Sequence, residues 1–143
     1  MVFKKAKMQK IIKDIVVVIP AYCPNQELQK SVKEMANTFQ RILVVNDGSS
    51  KEYDDLFFSL KKHVEIIKHP ENEGKGAAIK TALNFLKDDE SVLGIITVDA
   101  DGQHLTQDVI NIADHASGRS DNFILGVRDF SENIPLRSKF GNV

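Results

Sequence analysis

The chain has no tryptophan, one cysteine and four prolines among its 143 residues. With only Cys23 an internal disulfide is excluded, and a lone thiol fits a reducing compartment, so a cytoplasmic setting is expected. Neither sign of charge is in excess: 19 Lys and Arg stand against 20 Asp and Glu, for a net charge of −1. That balance offers no electrostatic grip on nucleic acid or on an anionic membrane, and nucleic acid is not an expected partner. Long apolar runs are missing as well; the longest is about six residues, where a membrane span needs ~20. Residues 1–13 are lysine-rich without the continuous apolar core of a secretory signal, and read as a basic lead-in. What is left, 42% apolar and 27% charged, is the make-up of one ordinary globular domain, residues 14–143, long enough to bury a core.

The β-branched run Asp14-Ile15-Val16-Val17-Val18-Ile19 predicts a strand buried on both faces and ended by Pro20. Asn25 can cap a helix running to Phe39, with Leu28, Val32, Met35, Ala36 and Phe39 at i, i+3, i+4 spacing. Residues 41–45 form a second strand, closed by Asn46-Asp47-Gly48-Ser49-Ser50, and a serine there caps a helix burying Tyr53, Leu56, Phe57 and Leu60. Residues 64–68 make a short third strand. The loop His69-Pro70-Glu71-Asn72-Glu73-Gly74-Lys75-Gly76 then leads into a helix with Ala77, Ala78, Ala82, Leu83 and Leu86 inside. Residues 93–98 are a fourth strand, a helix from Thr106 follows with Val109, Ile110, Ile112 and Ala113, and residues 122–127 give a fifth strand. Strand–helix alternation at this spacing means parallel βαβ units with right-handed crossovers. The expected fold is α/β, a three-layer α/β/α sandwich on a Rossmann-like sheet, ordered 3-2-1-4 with the fifth strand beyond. Strands one and four then flank the switch point, where open α/β sheets bind ligands.

The chemistry-bearing residues fall at carboxyl ends of strands. Asp99 and Asp101, spaced i and i+2 after the fourth strand, leave the sheet on one side. Carboxylates held that close repel unless something positive sits between them, and a hard divalent cation bound to phosphates suits them. A plain polar turn fits Asp-Gly equally well. Asp47 after the second strand either accepts hydrogen bonds from a ribose or base, being acceptor-only when ionised, or caps a turn. Asn72-x-Gly74-Lys75-Gly76 offers backbone approach and one positive charge but has neither the P-loop ending nor the third glycine of the dinucleotide fingerprint. Cys23 reads as buried filler; His63, His69 and His115 read as surface residues; and His104 lies where it could touch a phosphate or a metal-bound water. Arg128, at the end of the fifth strand, is a solvated charge or, if aimed into the crevice, a stabiliser of a diphosphate leaving group.

Taken in order, Val-Ile-Pro-Ala-Tyr, Val-Val-Asn-Asp-Gly-Ser, Asn-Glu-Gly-Lys-Gly-Ala-Ala and Val-Asp-Ala-Asp-Gly-Gln-His resemble the motifs of family 2 glycosyltransferases of the GT-A fold. Gly-x-Arg followed by Phe and Ile-Pro-Leu-Arg-Ser adds to a similarity running from Ile15 to Asn142, closest in flavour to dolichyl-phosphate and polyprenyl-phosphate sugar synthases. The resemblance implies transfer of a hexose from a UDP- or GDP-sugar to an acceptor such as a polyprenyl phosphate or glycan, with inversion, at the cytoplasmic face of a membrane. It implies Mg²⁺ or Mn²⁺ on Asp99, Asp101 and Gln103, and a nucleotide pocket of Pro20, Ala21, Tyr22, Asp47, Asn72, Gly74, Lys75 and Asp99. Arg128, and more loosely Arg137, match arginines that meet phosphates.

Where many relatives carry Asn-Glu after Pro-x-Tyr, this chain has Cys23-Pro24. The family's acceptor half and catalytic base follow the acidic motif, so no base is assigned within residues 1–143. The expectation is a nucleotide-sugar-binding half, inactive alone, whose residues 130–143 are mobile or self-associate through Phe130, Ile134, Leu136 and Phe140. Two alternatives stand beside it. One is a nucleotide-binding fragment without turnover. The other is phosphoryl transfer, since Asp-x-Asp-Gly is also similar to the motif of aspartate-nucleophile phosphatases; those, however, carry it on the first strand with a threonine where Gln103 stands.

Overall fold

The structure, a computed structural model, describes residues 11–116. Four strands form one parallel sheet: β1 (Ile12–Ala21), β2 (Phe39–Asn46), β3 (Glu65–Lys68) and β4 (Gly94–Thr97), in the order β3-β2-β1-β4. The helices are α1 (Glu27–Met35), α2 (Asp54–Leu60), α3 (Lys75–Leu86) and α4 (Thr106–Ala116), and a 3₁₀ turn (Lys51–Tyr53) leads into α2. The predicted class and strand order are those observed. The fifth strand, Arg128, Arg137 and the 130–143 segment lie outside the described residues.

The central strand explains the layering. Val16, Val17 and Val18 are all fully buried, because side chains that alternate across the sheet meet helices on both sides. Ile15, Val17 and Ile19 join Ile42, Val44, Ile96 and Val98 in the core under α1, α2 and α4. Val16 and Val18 join Leu43 and Val45 against α3, which meets them through Ala78, Ala82 and Leu86. Two alanines at that contact leave little side chain between helix and sheet, so α3 lies close over β1 and β2.

Two expectations about element bounds are corrected, and one about burial. β1 runs two residues further than its apolar run, through Pro20 to Ala21. The proline is tolerated because residues bonded to β2 and to β4 alternate: the Ala21 carbonyl accepts from Asp47 N and the Val18 carbonyl from Val98 N. Pro20 therefore faces the β4 side, where β4 has already ended and no ladder donor is wanted. Phe39 belongs to β2 and not to the first helix, which stops at Met35 and turns through residues 36–38. On α3, Leu83 is 47% exposed instead of buried. At the opposite edge from the switch point, Arg41 crosses from β2 to hold Glu65 at 3.0 Å and Asp89 at 2.6 Å.

Candidate functional site

β1 outruns β4, and the chain segments that leave both strands do so at the same edge of the sheet. This is where the order reverses, with β2 and β3 to one side of β1 and β4 to the other. Pro20 is half-buried, Ala21 is buried, and Tyr22 stands 56% exposed beyond them. From the neighbouring strand come Val98, buried, and Asp99, half-buried, then Asp101, exposed. Asp101 Oδ1 accepts from the Gln103 amide at 2.9 Å, the local bond that shapes an Asx turn. Gly102 takes φ +76° and lies so near α1 that a Cβ there would be 2.7 Å from Glu27 Cβ, so the acidic loop is pinned against the first helix.

Lys75, the first residue of α3, reaches across to this loop and its ammonium donates to Asp99 Oδ1. His104 Nε2 lies 3.7 Å from the other oxygen, Asp99 Oδ2. The lysine hydrogen bond holds the Asp99 carboxyl below its ordinary range, against the opposing pull of burial. One cationic side chain from the glycine loop and the acidic pair after β4 thus meet at the switch point. Among the described residues there is no group of three or more His, Cys, Asp or Glu placed to hold a metal ion. Asp99 and Asp101 are hard oxygen donors, however, and Mg²⁺ commonly takes one or two carboxylates and completes its shell with substrate phosphates and water, not with an all-protein cage. The donor set fits such an ion.

Asp47 is not at the surface of this crevice. It is 2% exposed, and its oxygens accept from His69 Nδ1 at 2.7 Å, Glu73 N at 3.0 Å and Gly74 N at 2.8 Å. Burial pushes its pKa up, but the Glu73 amide, the His69 ring and the Gly74 amide together hold it below the ordinary value. Stability from a depressed carboxyl is present above the unfolded pKa of about 3.9 and is lost as pH falls through the folded one. The melting temperature of wild type should therefore exceed that of Asp47→Asn by a constant margin from about pH 5 to 8, and the margin should shrink below about pH 4. A margin unchanged down to pH 2 would mean that the carboxylate's charge contributes nothing to the fold.

His69 corrects an expectation. It is 6% exposed, and its second nitrogen, Nε2, lies 2.9 Å from Thr81 Oγ1 on α3. No periodic signal in the sequence marks a single buried histidine in a loop, and its partners lie 22 residues before it and 12 after. Gly74 caps α3 at φ +91°, a conformation that favours glycine. Asn72 is exposed beside it. Cys23, half-buried with φ +45°, donates its backbone N–H to Ser49 Oγ at 2.9 Å, which ties the end of β1 to the turn after β2.

Comparison with known proteins decides the family. The family model described as glycosyl transferase family 2 matches residues 16–140. This chain belongs to glycosyl transferase family 2. Its relatives include the UDP-N-acetylglucosamine–dolichyl-phosphate N-acetylglucosaminyltransferase of Methanococcus voltae, 28% identical over 90% of this chain and 59% of that protein. An uncharacterized protein of Methanocaldococcus jannaschii is 26% identical over 90% of the chain and 57% of its own length. This family 2 chain thus spans less than two thirds of the curated relatives it matches. Solved structures of similar fold include 4-diphosphocytidyl-2C-methyl-D-erythritol synthase, with TM-score 0.56, 14% identity, and coverage of 77% of this chain and 57% of that one. Staphylococcus aureus TarS matches at TM-score 0.50 and 19% identity, over 73% of this chain and 20% of its own. In this family 2 member the acidic motif follows β4, whereas the phosphatase alternative required it on the first strand. No helix among the described residues is long and apolar enough to cross a membrane.

Proposed function

We propose that this chain is the nucleotide-sugar-binding part of a metal-dependent, inverting glycosyltransferase. The donor is a UDP- or GDP-sugar and the acceptor a polyprenyl phosphate. The observation that carries the proposal is the meeting of Lys75, from the glycine loop, with the Asp99 side of the Asp-Ala-Asp motif at the switch point. A diphosphate brings negative charge, and this edge of the sheet offers one ammonium together with carboxylates suited to a hard cation. The Methanococcus voltae relative, named for a UDP-sugar and dolichyl phosphate, supports the donor and acceptor classes.

Asp99, Asp101 and Gln103 would hold Mg²⁺ or Mn²⁺. When bound, the ion supplies Lewis-acid compensation of the charge that builds on the departing diphosphate. The chain's own part is binding. Pro20 and Ala21 at the end of β1, with Tyr22 just beyond it, stand beside the acidic loop, and Lys75 supplies positive charge next to Asp99. An acceptor phosphate is already anionic near neutral pH, so attack on the anomeric carbon makes small demands on a general base. None is assigned within this chain.

A ligand that binds only the folded state must stabilise it, by about 2.7 kcal/mol when present at 100 times its dissociation constant. Thermal unfolding with UDP, GDP, their sugars and adenine nucleotides, each with and without Mn²⁺, tests the reading. The expected result is a rise in melting temperature for a uridine or guanosine diphosphate that depends on Mn²⁺. No shift with any nucleotide at millimolar concentration would overturn it. Sugar transfer by this chain alone, faster than donor hydrolysis, would show that the acceptor machinery lies within it.

A further inference from the structure

Lys75 is a cation in an unfavourable place. It opens α3, and the N-terminal end of a helix carries partial positive charge, which disfavours a cation. The first turn of α3 holds no acidic residue to offset it. Its ammonium has its partner across the crevice instead, donating to Asp99 Oδ1, while His104 stands 3.7 Å from Oδ2. That bond is the largest cause of the depressed Asp99 pKa. The same carboxylate is a proposed ligand of the divalent cation. An ammonium on one of its oxygens repels any cation that approaches the other, so Lys75 and the metal ion compete for Asp99.

Two ion pairs of this fold differ in kind. Arg41 holds Glu65 and Asp89 with its guanidinium, on a side chain 23% exposed, and so ties β2 to β3 and to the loop before β4. Lys75 meets Asp99 through a compact ammonium on a flexible stem. Both side chains are open to water, Lys75 at 60% and Asp99 at 43%. An ion pair so exposed is worth roughly fivefold at most in an equilibrium constant. It is strong enough to be felt by a competing cation and weak enough to be given up for a better anion. A diphosphate is that anion. It carries more charge than one carboxylate, and the end of α3 that disfavours an ammonium favours a phosphate.

We infer that Lys75 is an exchangeable counter-ion: in the empty site it neutralises Asp99, and when the donor arrives it passes to the diphosphate and leaves Asp99 to the divalent cation. The inference rests on the proposed nucleotide site and adds a coupling within it. Cation and diphosphate cancel each other's charge, so together they leave the crevice as balanced as before. The cation alone must push Lys75 off Asp99 with no anion to receive it. The diphosphate alone draws Lys75 away and is left facing a bare carboxylate. Lys75 therefore makes the two ligands bind cooperatively.

A fixed positive charge behaves differently. If Lys75 stayed on Asp99 in every state, its removal would favour the cation and disfavour the diphosphate. The factor by which each ligand tightens the other would not change. Exchange lowers that factor when Lys75 is removed, and linkage makes it the same whichever ligand is titrated first.

The test compares wild type, Lys75→Met and Lys75→Arg, with free Mn²⁺ followed by electron paramagnetic resonance and with UDP and GDP titrated calorimetrically. Both substitutions are at an exposed position and should leave the melting temperature almost unchanged. Lys75→Met should bind Mn²⁺ alone about fivefold tighter than wild type. With Mn²⁺ present it should bind UDP or GDP, whichever wild type prefers, about tenfold more weakly. The factor by which that nucleotide tightens Mn²⁺ should fall about fivefold from wild type to Lys75→Met. Lys75→Arg keeps the charge and should restore most of that factor.

Mn²⁺ affinity unchanged or lower in Lys75→Met would overturn the inference, since the ammonium would then not compete for Asp99. An unchanged factor beside tighter Mn²⁺ would overturn it too, leaving Lys75 as a fixed charge. Failure of wild type to bind either nucleotide with Mn²⁺ is a separate result. It removes the proposed nucleotide site, and with it the anion to which Lys75 would pass.

Discussion

Asp101→Ala should abolish Mn²⁺-dependent nucleotide binding while the fold stands. Asp101 is exposed, and its one described bond is the local Asx-turn bond from the Gln103 amide, which water can replace. Surface changes of that kind usually stay within about 0.5 kcal/mol, so the melting temperature without ligand should hardly move. Binding is another matter. Without a cation, the diphosphate and Asp99 repel each other across a crevice whose described counter-charge is Lys75, already shared with Asp99. Loss of a residue that merely supports a metal ligand typically costs 10–100-fold in affinity, so loss of a direct carboxylate should cost at least about 100-fold. Calorimetric titration of wild type and variant with UDP and GDP, with Mn²⁺ and after chelation, gives the answer. The two proteins should bind alike once the metal is removed. Equal affinity in the presence of Mn²⁺ would strike Asp101 from the site and leave the acidic motif as a turn.

Gly48→Ala should be the opposite case, a single methyl group that damages the fold. Gly48 adopts φ +73°, strained for any L side chain. A Cβ at this position would lie 2.1 Å from the Glu71 carbonyl carbon and 2.3 Å from Asn72 N. Both are backbone atoms, so no rotamer change relieves the overlap; the turn after β2 and the loop before α3 would have to separate. Strain and overpacking together should cost about 3 kcal/mol. For a domain of this size that lowers the melting temperature by roughly 10 °C. The damage should also reach Glu73 and Gly74, whose amides depend on the same close approach to satisfy Asp47. Thermal unfolding within two or three degrees of wild type would mean that the loop can yield at this point with little loss.

The sheet was legible in the sequence because its signals are redundant. Runs of Val and Ile mark β1, β2 and β4, each is followed by a turn, and right-handed crossovers leave little freedom of order. Where expectation failed, one signal had two meanings. Phe39 continues the i, i+4 spacing from Met35, so it fits a last helical turn as well as the first buried position of a strand, and only the turn at residues 36–38 separates the two. Leu83 fits the helix pattern too, but α3 packs on the sheet through Ala78, Ala82 and Leu86, a stripe too narrow to include it. The site was legible as a set of strand ends. Its internal bonds were not, since spacing says where a carboxylate leaves the sheet and nothing about which donors will claim it. Asp47 and His69 illustrate this, being a carboxylate and an imidazole from different strand ends that become partners only once the sheet has formed.

The central place of β1 has a consequence for the order of events during synthesis. It is the first strand to be made, yet one of its two neighbours is the last of the four: Ile15 pairs with Gly94 and Val18 with Thr97. At about 5–20 residues per second, the intervening chain takes roughly 4–16 s to emerge. During that interval the longest strand of the described fold can be covered by β2 on one edge and by α1 on one face, while its other edge waits. The step that closes this edge is the most non-local pairing in the described fold, and non-local parallel pairings are intrinsically slow. The strand that organises the finished sheet is thus also the one that spends longest half-dressed, and the nascent chain has most need of protection there.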